Sequence, residues 1–312
     1  MMQNLSLDAL SSAFPHLKLI PAEPMAAHTT FRIGGPAPMA FPQSAAELEA
    51  VYRYCLSQGH RPLVLGAGSN VLAPDEGLSR LVLCTREMRG LSLAAPGRIA
   101  AESGVLLSRL ATFAREQGLT GLEFAHGIPG SVGGGLYMNA GAYGGELKDV
   151  AVKTRALLPD GTIWEAEGDQ QGFAYRTSAF QKRGAVILSA EFELSQGDGA
   201  AIEARMQELA ARRRASQPLE MPSAGSTFKR PQVGYAAALI EGAGLKGKGV
   251  GRAAVSEKHA GFVVNLGGAT ARDVLDTMDM VVKAVADKSG IVLEPEVRIF
   301  RDEQEESSCN LS

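Results

Sequence analysis

Two glycine-rich stretches and one basic segment carry most of the chemistry this sequence offers. The longer stretch reads Gly127-Ile128-Pro129-Gly130-Ser131-Val132-Gly133-Gly134-Gly135-Leu136-Tyr137-Met138-Asn139-Ala140-Gly141-Ala142-Tyr143-Gly144-Gly145-Glu146, and no Lys or Arg occurs between Arg115 and Lys148. Successive glycines let backbone N–H groups converge on an anion without basic side chains. Gly66-Ala67-Gly68-Ser69-Asn70, after a strand-like run, offers a second set. Two amide-lined loops suit a pyrophosphate, whose charge is spread over two groups. The alternative is a sharply bent, tightly packed loop with no ligand. Residues 198–258 hold ten basic and six acidic side chains, a local excess suited to an anionic substrate. Within them lies Ser223-Ala224-Gly225-Ser226-Thr227-Phe228-Lys229-Arg230-Pro231. Taken alone, Ser226 reads as a turn residue, and without a GxSxG elbow a hydrolase triad is not indicated.

Other patterns lead nowhere. Gly242-Ala243-Gly244-Leu245-Lys246-Gly247 fits GxGxxG but follows the helix-like Ala236-Ala237-Ala238-Leu239-Ile240 rather than a strand. Gly242 to Lys248 fits GxxxxGK, yet Gly249 stands where Ser or Thr must hold Mg²⁺. A helix end and turn is the better reading. The five histidines, at 16, 28, 60, 126 and 259, lack HxH or HExxH spacing, so no metal is expected. Arg212-Arg213-Arg214 reads as a solvated helix C-terminus, where cations complement the dipole.

The elements that must position these residues follow from periodicity and caps. Ser44 to Gly59 reads as a helix with a Ser44–Glu47 capping box and Leu48, Val51, Cys55 and Leu56 on one face. Pro62 to Leu65 is a short buried strand. A helix over Leu106 to Gln117 turns Leu106, Leu110, Phe113 and Ala114 inward. Strands follow at Val150 to Leu158, Thr162 to Ala166 and Gly184 to Leu194. Ile202 to Ala215 is helical, as is Ala269 to Ser289, capped by Thr270 with Asp273 and turning Val274, Met278, Val281, Val282 and Val285 inward. A final strand spans Ile291 to Phe300. On it Glu296 and Arg298 share one face, Val297 and Ile299 the other. Strands and helices mix throughout, which gives an α+β or α/β class, and there is no internal repeat.

Composition bounds the rest. The chain has 312 residues, about two folded units by length, 31 basic and 34 acidic side chains, and 45% hydrophobic residues. The stretch 301–312 holds one base and four acids, leaving 30 and 30 in the body. A neutral body argues against binding nucleic acid through phosphate neutralisation. Cys55, Cys84 and Cys309 form no CxxC, which suits a reducing compartment. The first eight residues have no basic cluster followed by an apolar run, so no secretory signal is expected. No stretch approaches about 18 apolar residues, so no membrane insertion is expected. The expectation is a soluble, cytoplasmic protein, monomeric, with a disordered acidic tail at 301–312.

The motifs acquire a common meaning from their order. Thr29-Thr30-Phe31-Arg32-Ile33-Gly34-Gly35, Leu65-Gly66-Ala67-Gly68-Ser69-Asn70-Val71-Leu72 and the Gly127–Glu146 stretch come first. Tyr175-Arg176-Thr177-Ser178-Ala179-Phe180, Gly225-Ser226-Thr227-Phe228-Lys229, Lys258-His259-Ala260-Gly261-Phe262 and Leu293-Glu294-Pro295-Glu296-Val297-Arg298 follow. In this succession, over about residues 20 to 300, the chain closely resembles the UDP-N-acetylenolpyruvoylglucosamine reductase (MurB) family of peptidoglycan precursor synthesis. The resemblance implies a PCMH-type (vanillyl-alcohol-oxidase-like) α+β fold. Two FAD-binding subdomains, 1–86 and 87–197, would precede an α+β substrate domain, 198–300. It implies one tightly bound FAD, NADPH as co-substrate, and reduction of the enolpyruvyl group of UDP-N-acetylglucosamine-enolpyruvate. Arg176, Ser226 and Glu296 match the family's catalytic positions. Its flavin segments fall on Gly66, Ala67, Gly68, Ser69, Asn70, Gly127, Ile128, Pro129, Gly130, Ser131, Gly133, Gly134, Asn139, Gly141 and Ala142. Tyr175, Lys229, Lys258, His259 and Asn265 are expected at the substrate.

The chain departs from the family pattern in places. His28 stands where Asn is frequent, and Phe300-Arg301 replaces a glycine. No tyrosine lies between Gln181 and Ala224, as in the shorter branch that lacks a tyrosine-bearing loop. Two other classes are weighed: a different PCMH-type flavoenzyme, such as an alcohol oxidase, and a non-catalytic flavin or sugar-nucleotide binder. The set Arg176, Ser226 and Glu296 argues against both.

Overall fold

The computed structural model describes residues 5–302, so the tail expected to be disordered lies, from 303 onward, outside the described residues. The chain divides into two compact units. One comprises Met1–Pro21, Pro38–Ala67 and Arg80–Arg213; the other comprises Ala22–Ala37, Gly68–Ser79 and Arg214–Ser312.

The first unit holds the two larger sheets. A four-stranded sheet runs in the order Lys18–Pro24, Pro36–Phe41, Val82–Cys84, Leu63–Leu65, its last three strands parallel. The helix Ala45–Ser57 packs Leu48, Val51, Tyr52 and Cys55 into the core it shares with Leu83. Ser44 caps that helix by accepting from the Glu47 N–H at 3.2 Å, while Glu47 takes the N–H of Gln43 rather than that of Ser44. Burial pushes the Cys55 thiol up to about 12 and the Cys84 thiol above its ordinary value. Both therefore stay protonated.

The second sheet is antiparallel throughout, in the order Ile163–Glu167, Ala151–Leu157, Val186–Glu193, Arg98–Glu102, Leu91–Ala95. The helix Leu107–Glu116 buries Leu107, Leu110 and Ala114. Leu106, expected inward, is instead 49% exposed. It lies outside the helix as the N-cap residue, in extended conformation and bridged to Ser131, so helical periodicity does not govern it. The helix Gly199–Ser216 buries Ile202, Met206 and Leu209 in this same core.

In the second unit the strands Gly249–Val250, Ala253–Val255 and Val263–Asn265 form an antiparallel sheet. The helix Ala271–Ser289 turns Val274, Met278, Val281 and Val285 into a core shared with Val255, Val263 and Leu293. The expected strand over 291–300 shortens to Arg298–Ile299, paired in parallel with Val71–Leu72. Pro295 has no N–H to offer a ladder, and the preceding residues instead meet the serine segment through a Phe228–Pro295 bridge. Val297 is buried and Arg298 exposed; Glu296 is intermediate.

Thr270 and Asp273 make a reciprocal capping box, Thr270 Oγ1 accepting from the Asp273 N–H at 3.0 Å. Loss of such a cap costs about 1 kcal/mol. Thr270→Ala should lower the urea midpoint of unfolding accordingly with an unchanged slope.

Candidate active site

In the second unit the serine segment is held on both sides. Thr227 is fully buried. Its N–H donates to Gly261 O at 2.8 Å, its carbonyl accepts from the Glu296 N–H at 2.8 Å, and its hydroxyl accepts from the Val263 N–H at 2.9 Å. The Lys229 N–H donates to Glu294 O at 2.8 Å. On the other side Thr30 Oγ1 donates to Ser223 O at 2.6 Å. Gly225 has a φ of +76°, a conformation that only glycine adopts without strain. Ser226 follows it, half-buried on this fixed backbone. Asn70 Nδ2 donates to Glu296 O at 3.1 Å, so the acid's backbone is held from two directions. The structure thus brings Ser226 and Glu296 onto neighbouring segments of one unit.

The expected substrate residues of this unit differ in their engagements. Lys229 Nζ pairs with Glu294 at 3.1 Å. Lys258 Nζ donates to Arg214 O at 2.7 Å, with Glu220 at 3.8 Å. The Asn265 amide is committed to backbone: it donates to Phe31 O and accepts from the N–H groups of Gly267 and Ala269. His259 accepts a hydrogen bond from the Gly261 N–H at Nδ1 and sets its ring edge-on to Phe262. Burial, aided by the charge of Lys246, holds its imidazole below the usual value of 6.5.

In the first unit Tyr175 and Arg176 are the central residues of a tight turn closed by Ala174–Thr177 backbone bonds of 3.0 and 3.3 Å. Arg176 has a φ of +53° at the turn position where glycine or asparagine is usual. Tyr175 is exposed, with the Arg176 guanidinium 5.6 Å from its ring.

Gly66 and Ser131 adjoin, for a Cβ on Gly66 would fall 2.4 Å from Ser131 Oγ. Ser131 caps the short helix Val132–Tyr137. The N–H groups of Val132, Gly133, Gly134 and Gly135 bond within the protein, to Val105 O, Ser103 O, Ser131 Oγ and Ser131 O. Those glycines therefore serve close packing rather than a nest of open amides. A Cβ on Gly133 would meet Ser103 at 2.8 Å and one on Gly135 would meet Leu147 at 2.8 Å. Gly68, with a φ of +67°, lies against the His28 carbonyl, where a Cβ would come within 2.0 Å. Asn139, buried at a φ of +45°, donates to Glu146 and to Ala174 O.

Three residues of the site escape the motif reading. Arg213, expected at a solvated helix end, donates through Nη1 to Gly127 O at 2.6 Å. Burial depresses the pKa of its guanidinium, a hydrogen bond with Tyr143 opposes that shift, and the charge of Arg176 adds to it. Tyr143, with Gly144, turns the two-residue hairpin between Gly141–Ala142 and Gly145–Glu146, both at positive φ. That is a type I′ turn, in which an aromatic residue is unusual. Arg212 lies 5.0 Å from the Tyr143 ring. Arg86 donates through Nη2 to Ala67 O at 3.0 Å. The loops thus lack basic side chains of their own but receive guanidinium groups from elsewhere in the sequence. Backbone and short side chains flanked by arginines suit an anionic group such as a dinucleotide diphosphate. Only the run of three arginines hinted at Arg213.

Among the described residues no group of His, Cys, Asp and Glu could hold a metal ion, and no helix is long and apolar enough to cross a membrane. A family model for the C-terminal domain of UDP-N-acetylenolpyruvoylglucosamine reductase matches residues 217–300, and one for an FAD binding domain matches residues 36–167. The UDP-N-acetylenolpyruvoylglucosamine reductase of Levilactobacillus brevis is 43% identical over 295 residues, 94% of this chain and 97% of that protein. That of Clostridium novyi is 45% identical over 279 residues, covering 89% and 91%. The crystal structure of UDP-N-acetylenolpyruvylglucosamine reductase (MurB) from Thermus caldophilus superimposes with a TM-score of 0.78 at 32% identity, over 91% of this chain and all of that one.

The His259 environment has a measurable consequence. Its pKa is lowered on folding, so the unfolded chain takes up the proton first as pH falls. The stability this contributes is complete above 6.5 and is lost as pH drops through and below that value. Between about pH 7.5 and about pH 5.5, wild type should lose more stability to urea than His259→Gln does. Equal losses would remove His259 from the account.

Proposed function

From the premise that the chain belongs to the UDP-N-acetylenolpyruvoylglucosamine reductase family, we propose that it reduces UDP-N-acetylglucosamine-enolpyruvate to UDP-N-acetylmuramate at the expense of NADPH. The observation that carries this reading is the union in one chain of an FAD-binding domain with the C-terminal domain of that reductase. In this reading 1–86 and 87–197 are the flavin-binding subdomains and 198–300 the substrate domain. Gly66–Asn70 and Gly127–Ser131 hold the cofactor's diphosphate, with Arg86 and Arg213 bracing the loops from behind. Gly133, Gly134, Gly141 and Ala142 complete the cofactor side, while the Asn139 side chain, expected there, is engaged by Glu146, Ala174 O and the Lys148 N–H. When bound there, FAD would supply the hydride chemistry, accepting from NADPH and donating toward C3 of the enol ether.

The protein's own groups manage the charge and the proton. Hydride arrival at C3 leaves negative charge at C2 and on the adjacent carboxylate. Arg176 meets that charge with a fixed fork of donors, and its turn geometry sets the fork before substrate arrives. Ser226 gives its hydroxyl proton to C2. A hydroxyl is a weak acid, but the enolate carbon is a strong base, so the transfer runs downhill. Glu296 in its protonated form donates to the developing enolate. Lys229, Lys258, His259 and Tyr175 serve the anionic and polar parts of the sugar nucleotide. Asn265 serves it through the backbone it braces.

Two measurements test this. The purified protein should carry one FAD per chain. Gly68→Val should lower that content, because a β-branched side chain cannot fit against the His28 carbonyl. A folded, colourless wild type that cannot be loaded with FAD would overturn the proposal.

The second concerns Ser226→Ala. Flavin reduction by NADPH needs no proton at substrate C2, so bleaching should proceed at nearly the wild-type rate. Reoxidation by the enolpyruvyl substrate needs that proton, and loss of a positioned acid costs at least ~10²–10⁴ in rate. An unquenched enolate returns its hydride, so the loss should fall near the top of that range. Stopped-flow absorbance separates the two steps. Equal slowing of both would make Ser226 structural.

A further inference from the structure

Arg176 stands in a backbone conformation that a non-glycine residue adopts at a cost of about 1 kcal/mol or more. Such a conformation persists only where the surroundings over-determine it. The hydrogen bonds around the turn identify what does so. Ala174, at its start, gives its carbonyl both to the Thr177 N–H at 3.3 Å and to Asn139 Nδ2 at 3.1 Å. Ser178, just past its end, is fully buried and donates from Oγ to Tyr137 O at 2.8 Å, while accepting from the Gln181 N–H at 3.3 Å. Tyr137 and Asn139 lie either side of Met138, at the end of the glycine-rich helix Val132–Tyr137. The two ends of the arginine turn are thus fastened to points two residues apart.

Asn139 is itself fixed. It is 2% exposed at a φ of +45°. Its Oδ1 accepts from the Lys148 N–H at 3.0 Å, and Nδ2 also donates to Glu146 Oε2 at 2.8 Å. Lys148 Nζ holds the Glu146 carboxylate at 2.9 Å and keeps it below the usual carboxylate range, with smaller help from Asn139 and from the charge of Arg176. An ionised acid therefore stands in the electrostatic neighbourhood of the arginine, tied to the same asparagine.

We propose that Asn139 and Ser178 are positioning residues for Arg176, fastening its turn to the glycine-rich stretch so that the guanidinium is set before substrate binds. This rests on the role given to Arg176 under the proposed function. Neither side chain needs to touch the substrate, and both should act only through the arginine. A displacement of about 1 Å at a reacting group can cost ~10²-fold in rate.

A double-mutant cycle on the flavin-loaded enzyme tests it. Asn139→Gly keeps the left-handed backbone without strain and removes only the amide. Ser178→Ala is the independent second variant. Rates are taken per bound flavin. In the Arg176 background each variant should slow reoxidation by UDP-N-acetylglucosamine-enolpyruvate about tenfold to a hundredfold. Reduction by NADPH should change by less than about twofold. In an Arg176→Ala background the same substitutions should change reoxidation by less than about twofold, because the group they position is gone. The proposal is overturned if their effects are equal in the two backgrounds, if both half-reactions slow together, or if neither variant slows reoxidation. If wild-type reduced flavin is not reoxidised by this substrate at all, the proposed function itself fails, and that result is separate from the cycle.

Discussion

The second unit depends on one buried residue. Thr227 uses its N–H, its carbonyl and its hydroxyl on three different partners, Gly261, Glu296 and Val263. All three bonds lie out of reach of water, where an unmade bond costs about 1–3 kcal/mol. That asymmetry fixes the register of three segments at once. It also places a half-buried serine, an acid and a histidine on rigid backbone, and the His259 ring adds to the fixing by accepting from the Gly261 N–H. The three bonds that set this frame use backbone and the Thr227 hydroxyl, so Ser226 can be altered without undoing them.

The first unit reaches rigidity differently. Arg32, Asn139, Tyr143 and Arg176 are non-glycine residues at positive φ, and three of them lie in this unit's motifs. Strain of that kind tends to gather where a side chain is needed at a position that backbone economy would give to glycine. Tyr143 in its type I′ turn and Arg176 in the 174–177 turn both fit that description. Each is held by neighbours from elsewhere in the sequence: Tyr143 by Arg212 and Arg213, the Arg176 turn by Asn139 and Ser178.

Much of this was legible in the amino-acid order, for definite reasons. Local signals located the helices Ala45–Ser57 and Ala271–Ser289, because caps and apolar spacing act within a few residues. The family match came from motif order. What local rules could not supply was long-range. The strand expected at 291–300 failed because its partners are Phe228 on one side and Val71–Leu72 on the other, neither deducible from periodicity. The glycine-rich segment 132–135 suggested open amides, yet Val105 and Ser103 take the first two and Ser131 the others. Arg213 looked like a solvated helix end because nothing nearby in sequence shows that Gly127 waits 86 residues away.

The division of the chain carries a consequence for its synthesis. The polypeptide passes between the two units five times, yet the first unit has all its segments once Arg213 has been made. The second unit is in the opposite position. Its stretches 22–37 and 68–79 leave the ribosome early, but Thr30 bonds to Ser223, and Val71–Leu72 pair with Arg298–Ile299. The two early stretches bond to each other, Thr30 to Gly68 and Gly35 to Pro74, but the pairings with Ser223 and Arg298–Ile299 close very long loops, which makes them slow. The nascent chain should therefore mature in two stages, with Thr30 and Val71–Leu72 open to chaperones and proteases until the last of their partners emerges.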